Sequence, residues 1–233
     1  MATRSEALLG LIQGPAELLP VSSSGHVEAA RLLWGLEGDE VALHAGSLAA
    51  LVLGCRGEAW TILRRLTWRR VGMHLVAGGI PAAIGFVVEK TGPRRPVIPG
   101  LLAGAALLVS AAGAEGGRSR WDAGPVDGLW LGLAQAAALW PGVSRNGATL
   151  AAARLRGFAP SEANPLSREV GVPVTLGAVA LRRGGVNLGT VTSFVSALAS
   201  FPAMRWVDRG AALWPFAAER AGLALLLLRE SRS

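Results

Sequence analysis

Long stretches without a charged side chain constrain the fold of this chain more than any other feature. Residues 71–88, 96–114 and 184–204 each approach the ~20 apolar residues that a helix needs to cross a bilayer. Residues 41–55 form a slightly shorter stretch, and 210–228 would qualify without the two charged residues at its middle. Only 17% of the chain is charged, whereas a soluble domain carries about a quarter. The sequence therefore predicts an all-α integral membrane protein, a polytopic helical bundle.

Charge and cysteine content narrow the class further. The net charge of +7 comes from scattered arginines with no basic-aromatic stripe, so we expect no nucleic-acid partner. The arginine-rich loop 56–70 favours the cytoplasmic side of the membrane. The one cysteine excludes an internal disulfide framework. Glu219 and Arg220 interrupt the last apolar stretch, and we interpret them as neutralising each other locally.

Two other apolar segments, residues 6–21 and 128–143, have an unusual form. Each carries a glutamine near its midpoint and a proline close to its end, and each runs directly into a Ser/Gly cluster and a second Ala-rich helical pattern. A short helix, a polar turn and another short helix are typical of a re-entrant hairpin. Such broken backbone is tolerated at membrane depth only where protein buries it or where it lines a wet cavity.

The two hairpins belong to an internal repeat. At an offset of 122 residues, three positions of each hairpin helix and three of each turn carry the same residue types. The pairs are Gly10 and Gly132, Leu11 and Leu133, Gln13 and Gln135, Val21 and Val143, Ser22 and Ser144, and Gly25 and Gly147. We expect a single membrane domain, 1–233, in which repeat one covers about 1–115 and repeat two about 123–233. Repeats that each cross the membrane an odd number of times are inverted, and their interface is the expected binding site.

The first hairpin carries residues that activate a hydroxyl. Gln13 and Glu17 are four apart and share a helix face, and a carboxylate inside a membrane segment is costly enough to indicate a function. The turn "SSSGH" supplies Ser22, Ser23, Ser24, Gly25 and His26. One serine is explained as a helix N-cap. A serine near an imidazole with a carboxylate beyond it is an arrangement that activates a nucleophile.

The second hairpin adds a cation. "PGVSRNGAT" places Arg145 in the equivalent turn, and its neighbours are Ser144, Asn146, Gly147 and Thr149. The guanidinium is always charged and its planar fork suits phosphate oxygens, and helix N-termini attract anions as well. The two hairpins together fit an anion with an apolar body, for which a lipid phosphate is the natural example.

Two further histidines lie outside the hairpins. His44 precedes "AGSLAALVL", where a place near the site and a packing role are equally compatible with the sequence. His74 lies on an apolar helix and is interpreted as a helix-contact residue.

The motifs "GPAELLPVSSSGH" and "ALWPGVSRNGAT" resemble those of the undecaprenyl-pyrophosphate phosphatases of the bacitracin-resistance type. The resemblance implies interlocked inverted repeats in a multi-pass plasma-membrane protein whose active site opens to the outer face. It implies hydrolysis of a polyprenyl diphosphate lipid to the monophosphate and inorganic phosphate, which recycles the carrier for cell-wall glycan synthesis. A divalent cation, Mg²⁺ or Ca²⁺, is implied as cofactor, and a homodimer is the assembly to test.

The resemblance also implies roles for single residues. Ser23 is the expected nucleophile, His26 its acid/base partner, Glu17 the residue that orients the site or holds the metal, and Arg145 the clamp on the diphosphate. The remaining site residues are expected to bind substrate. They are Gln13, Ser22, Ser24, Gly25, Ser144, Asn146, Gly147 and Thr149.

The sequence departs from the family pattern in three places. Gln13 leaves one carboxylate where many members have two, and Asn146 replaces a serine. Arg168 and Glu169 stand where apolar residues are usual, which bears on the identity of the lipid. The alternative function is a transporter or flippase of polyprenyl phosphates, since inverted repeats and anion-binding groups serve a carrier equally. A carrier, however, has no use for Ser23 beside His26.

Overall fold

The computed structural model describes residues 2–91, 96–182 and 185–231, and these form twelve α-helices. No β-strand occurs in these three ranges, apart from an isolated bridge between Arg118 and Phe158. The helices are α1 Ala2–Leu18, α2 Ser23–Trp34, α3 Glu40–Gly54, α4 Arg56–Arg64, α5 Trp68–Thr91, α6 Val97–Ala112, α7 Pro125–Ala137, α8 Arg145–Leu155, α9 Pro160–Arg182, α10 Leu188–Ala199, α11 Phe201–Asp208 and α12 Trp214–Glu230. The all-α prediction is confirmed.

Among the described residues, one helix is long and apolar enough to cross a membrane unaided. It is the segment Trp68–Val88 of α5, and only 17% of its most apolar window is buried inside the protein. The helices α3, α6 and α10 are apolar but shorter, at 15, 16 and 12 residues. Large apolar side chains such as Leu75 are widely exposed. An outer surface of this kind suits lipid.

The prediction of one continuous helix over residues 184–204 is wrong. Residue 184 lies outside the described residues, and the remainder divides at Ser200 into α10 and α11. Pro202 is the second residue of α11 and has no N–H with which to continue the hydrogen bonds of α10. The Ser200 hydroxyl donates instead to the Ser196 carbonyl at 2.8 Å.

The predicted loop at 56–70 is also wrong, because α4 occupies residues 56–64 and α5 begins at Trp68. Arginine, alanine and leucine are good helix formers, so a high arginine content does not indicate irregular backbone. The side chain of Glu58 on α4 pairs with Arg120 and Arg168, which fixes this short helix against the bundle.

Glycines allow the hairpin helices to pack closely against longer partners. The helix α1 packs on α10, and α7 packs on α5. A Cβ at Gly10 would lie 2.5 Å from the Gly189 carbonyl oxygen, and one at Gly132 would lie 3.1 Å from the Val76 carbonyl oxygen. Small residues let membrane helices approach through their backbones. The main apolar core lies beside these crossings and is formed largely by residues of α5, α6, α8, α9 and α12.

Candidate active site

Each predicted hairpin turn ends at a serine that caps the following helix. The Gly25 N–H donates to the Ser22 hydroxyl at 3.2 Å at the start of α2. The Gly147 N–H donates to the Ser144 hydroxyl at 3.3 Å at the start of α8. The two caps stand 122 positions apart, at the offset of the predicted repeat, and leave the next backbone N–H groups of both helices directed at the turns.

The second turn is held in an uncommon backbone conformation. Ser144 has φ 61°, the one positive φ outside glycine among the described residues, and such a conformation costs of order 1–3 kcal/mol. Gly142 has φ 97°, and a Cβ there would lie 2.4 Å from the Val97 carbonyl oxygen. Strain of this kind persists where surrounding structure enforces it, and it is frequent at functional sites.

The two turns, distant in the chain, contact each other directly. Arg145 Nη2 donates to Glu17 Oε1 at 2.8 Å across a sequence separation of 128 residues. Asn146 Nδ2 donates to the Leu18 carbonyl oxygen at 3.2 Å. The Gly142 N–H donates to the Ser24 hydroxyl at 2.8 Å. The structure therefore brings the carboxylate of one hairpin and the guanidinium of the other into one site.

Arg220 on α12 binds the backbone of both turns, a contact that the sequence did not reveal. Its fully buried guanidinium donates to the Pro20 carbonyl at 2.8 Å and to the Val143 carbonyl at 3.1 Å. Glu219 and Arg220 attract each other electrostatically, as the interpretation of local neutralisation expects, but the Glu219 carboxylate faces His26 and the two do not form a salt bridge within the described residues. The available signal was the position of an arginine in the middle of an apolar helix, which indicates a dedicated partner.

Glu17 is the centre of a cluster that includes His44. Its Oε2 lies 3.1 Å from His44 Nδ1 and 3.1 Å from Gln13 Nε2, and the two nitrogens lie 3.0 Å apart. Of the two interpretations of His44, the structure therefore favours a place beside Glu17. Gln13 donates to Glu17 from the preceding helical turn, as their spacing on one helix face predicts.

Arg145 has room beside α9 because of a glycine. A Cβ at Gly171 would lie only 1.7 Å from Arg145 Nη1. One of the five N–H donors of Arg145 is used on Glu17, and the described residues accept no other bond from this guanidinium. The arginine therefore keeps N–H donors that no described residue uses. A small cavity is lined by Glu17, Leu18, Leu51, Arg145, Asn146, Asn164, Arg168 and Met204.

The serine cluster presents three different environments. Ser22 is buried, Ser23 is partly exposed and Ser24 is exposed. The Ser23 hydroxyl has no hydrogen-bond partner within the described part of the chain. His26 reaches back to the cluster as expected, but its Nδ1 lies 2.8 Å from the Ser22 carbonyl oxygen rather than on a serine hydroxyl. Its Nε2 lies 3.5 Å from Glu219 Oε1.

Two polar residues of the second motif face the protein interior. Thr149 is fully buried, donates to the Arg145 carbonyl at 2.8 Å and contacts Ser167. Ser167 donates to Asn146 Oδ1 at 2.8 Å. This network ties the first turn of α8 to α9 and so fixes the direction in which Arg145 points.

The charged residues that replace apolar ones in α9 are both paired. Arg168 donates to Glu58 at 2.9 Å and to Asp208 at 3.1 Å. Glu169 is buried and pairs with Arg70 and, at 3.1 Å, with His74. His74 on α5 thus contacts α9, in agreement with its interpretation as a helix-contact residue.

The donor set at Glu17 does not fit a metal ion held by protein groups alone. No group of three His, Cys, Asp or Glu side chains is arranged to hold a metal in residues 2–91, 96–182 and 185–231. Both Glu17 oxygens already accept from nitrogen donors, one of them a guanidinium. Gln13 supplies an amide where a second carboxylate would be required.

Comparison with known proteins identifies the family of this chain. The family model described as bacitracin resistance protein BacA matches residues 6–226. The chain is similar to an undecaprenyl-diphosphatase of Rubrobacter xylanophilus, at 39% identity over 204 residues that cover 77% of this chain and 75% of that protein. It is 31% identical to the undecaprenyl-diphosphatase of Idiomarina loihiensis, with 94% and 96% of the two chains covered. The undecaprenyl-diphosphatase of Ruegeria pomeroyi is 34% identical, with 95% and 96% covered. The match extends over nearly the whole chain and includes both hairpin motifs, so the protein belongs to the bacitracin resistance protein BacA family.

Proposed function

We propose that this protein is an integral-membrane phosphatase that hydrolyses a polyprenyl diphosphate of the undecaprenyl class to the monophosphate and inorganic phosphate. The reaction recycles the lipid carrier used for cell-wall glycan synthesis. The observation that carries the proposal is the 2.8 Å contact between Glu17 and Arg145, which joins the two motif-bearing turns. The names of the relatives support the diphosphate as substrate.

Each residue has a role that follows from its surroundings. Arg145 binds the diphosphate through its remaining N–H donors, and Glu17, helped by Gln13, holds that guanidinium in place. Ser23 attacks the terminal phosphorus with its unpartnered hydroxyl, the polyprenyl monophosphate leaves, and water then cleaves the phosphoserine to release inorganic phosphate. His26, one turn along α2, gives its proton to the departing phosphate and takes up the proton of Ser23. Ser24 lines the phosphate side. The residues that position it are Ser22 and Ser144, which cap the N–H groups of Gly25 and Gly147, together with Asn146 and Thr149. Such positioning and charge stabilisation carry most of phosphoryl-transfer catalysis.

The proposed architecture is a single domain of two interlocked, inverted repeats with re-entrant hairpins. Three pairings of elements support it: α1 packs on α10 as α7 packs on α5, α2 packs on α12 as α8 packs on α6, and α3 packs on its counterpart α9. The caps Ser22 and Ser144 stand at the same offset. Each hairpin therefore contacts helices of the opposite half.

The proposed location is the plasma membrane, which the chain crosses several times, with the site open to the outer face. The arginines of α4 support a cytoplasmic position for that end of the bundle. Whether the protein forms a homodimer is tested by light scattering of the detergent-purified chain, which distinguishes one copy from two.

The divalent cation stays a prediction. Since the protein offers one carboxylate at the site, the cation would have to be carried largely by the diphosphate oxygens. Phosphate release with and without chelator, at fixed substrate, tests whether the reaction requires it.

The deciding experiment measures phosphate release from a polyprenyl diphosphate in detergent micelles. We expect the wild type to turn over, and Ser23→Ala, His26→Ala and Arg145→Ala each to lose at least about a hundredfold in rate. Ser110→Ala, an exposed serine on α6, is the matched control and keeps full activity. Full turnover by Ser23→Ala would remove the nucleophile, and no release by the wild type would favour the transporter.

A further inference from the structure

The environment of His26 contains a carboxylate that the roles above do not use. Glu219 on α12 places Oε1 3.5 Å from His26 Nε2, an ion-pair distance rather than a short hydrogen bond. Both Glu219 oxygens are shielded from water and have no hydrogen-bond partner among the described residues. A buried carboxylate without such a partner is costly, so the imidazole is the group this side chain is placed to meet.

The hydrogen-bond chemistry of the ring constrains where the proton lies. His26 Nδ1 lies 2.8 Å from the Ser22 carbonyl oxygen, which only accepts, so Nδ1 carries a hydrogen. If Nε2 were a bare lone pair and Glu219 were ionised, two acceptors would face each other. A proton at Nε2 would remove this repulsion and make the contact an ion pair.

Other charged groups near His26 are engaged elsewhere. From α12, Arg220 attracts the charge of its neighbour Glu219, but its hydrogen bonds go to two backbone carbonyls. From α1, Glu17 is held by Arg145 and His44. On α2 itself, Glu28 pairs with Arg31, and α6, which also packs on α2, has no ionisable side chain.

We propose that Glu219 is a positioning residue for His26: it fixes the imidazole ring with Nδ1 on the Ser22 carbonyl and favours the protonated ring, whose Nε2–H serves as the general acid for the departing phosphate. The inference rests on the proposed phosphatase function. It adds a third member, from the far end of the chain, to Ser23 and His26. The arrangement is a nucleophile beside an acid–base residue whose ring is oriented by a further group.

The test is the pH profile of phosphate release by Glu219→Gln. The amide keeps the size of the side chain but has no negative charge to favour the protonated imidazole. We therefore expect the alkaline limb of the rate profile to move to lower pH by about one unit. We expect kcat to fall while KM changes little. Glu219→Asp retains a carboxylate and restores the wild-type limb, and Glu28→Gln on α2 is the control with an unchanged profile.

A wild-type pH profile in Glu219→Gln would overturn the proposal. An equal shift of the alkaline limb in Glu28→Gln would overturn it as well.

A second measurement depends neither on turnover nor on whether a variant at position 219 folds. The chain has three histidines, so ¹⁵N spectra of the wild type can be assigned to His26 by comparison with His26→Gln. We expect a protonated Nδ1, and a bare Nδ1 at His26 would contradict the inference. If the wild type releases no phosphate but shows this proton state, the phosphatase function fails and the His26–Glu219 pair stands.

Discussion

At the scale of single residues, Arg145 shows how the site is assembled. Its charge is paired by Glu17 from the other hairpin, its backbone carbonyl accepts from Thr149, and its guanidinium lies against Gly171. The arginine thus has one direction in which to present its remaining donors. Preorganisation of this kind is what a phosphate-binding cation contributes to catalysis.

Gly171→Ala tests this placement. The added methyl group would lie 1.7 Å from Arg145 Nη1, so the guanidinium must move, and an error of about 1 Å in a binding group can lower the rate about a hundredfold. We expect loss of phosphate release with the thermal unfolding temperature retained. Gly177→Ala on the same helix meets no atom within 4 Å, and the two variants should therefore differ sharply in activity. Equal activities would show that Arg145 does not depend on this gap.

Much of the candidate site, at the scale of single residues, could be predicted from the sequence alone. The shared helix face of Gln13 and Glu17 could be predicted, and so could the serines of the turns, because helix faces and N-caps are local properties. The contacts of His44, Glu219 and Arg220 could not be predicted, since each depends on which helices become neighbours. Arg168 and Glu169 were noted as departures, but their partners lie on α4, α5 and α11, too distant in sequence to be inferred.

At the scale of helices, close crossings hold the hairpins in position. The α1–α10 and α5–α7 crossings each use a glycine at the same offset in the repeat, Gly10 and Gly132. Sequence patterns predicted the helix of residues 71–88, and the short helices α1, α2, α7 and α8 fall where the hairpins were predicted. The patterns failed at Ser200, where a proline in an apolar stretch begins a new helix although Pro81 stays inside α5.

Gly10→Ala measures the contribution of the first crossing. The Cβ would meet Thr192 Oγ1 and the Gly189 carbonyl, so overpacking should cost about 1–3 kcal/mol and lower the unfolding temperature. Gly222→Ala on α12 has open space around it and is expected to be neutral or slightly stabilising. A Gly10→Ala variant as stable as Gly222→Ala would mean that the helices are further apart than described.

The ion pairs of α4 make a prediction about pH. This nine-residue helix is too short to span the membrane, and its Glu58 pairs with Arg120 and Arg168. Burial disfavours the ionised form, but Arg168 and Arg120 outweigh it and hold the pKa of Glu58 below its usual range. The resulting stabilisation is present above the unfolded pKa, about 4.3, and is lost as the pH falls through the lower folded value.

Thermal unfolding of wild type and Glu58→Gln at several pH values measures this effect. The wild type should have the higher unfolding temperature at pH 7. On acidification the difference between the two unfolding temperatures should narrow, by about 2–4 °C for each 1 kcal/mol of unfolding free energy that the ion pair no longer contributes. Glu37→Gln changes an exposed carboxylate and serves as the control. A difference that does not change with pH would show that the ion pair contributes little.

At the scale of the whole molecule, residues from both halves of the chain form the candidate site. Contacts between Glu17 and Arg145, Leu18 and Asn146, and Ser24 and Gly142 all join one half to the other. Neither half contains both the carboxylate and the guanidinium. Sequence analysis reached this arrangement through the repeat, because equivalent motifs in two halves indicate a shared interface.

The most direct measurement of this claim is a cross-link between the halves. In a Cys55→Ala background, Glu17→Cys and Arg145→Cys are joined by a short thiol-specific reagent, and a protease site inserted after residue 116 then separates the halves. We predict a single linked band on a denaturing gel, and two bands for a control pair of Glu17→Cys with Ser231→Cys. Two bands for the Glu17–Arg145 pair, in a preparation whose wild-type parent is active, would contradict the account.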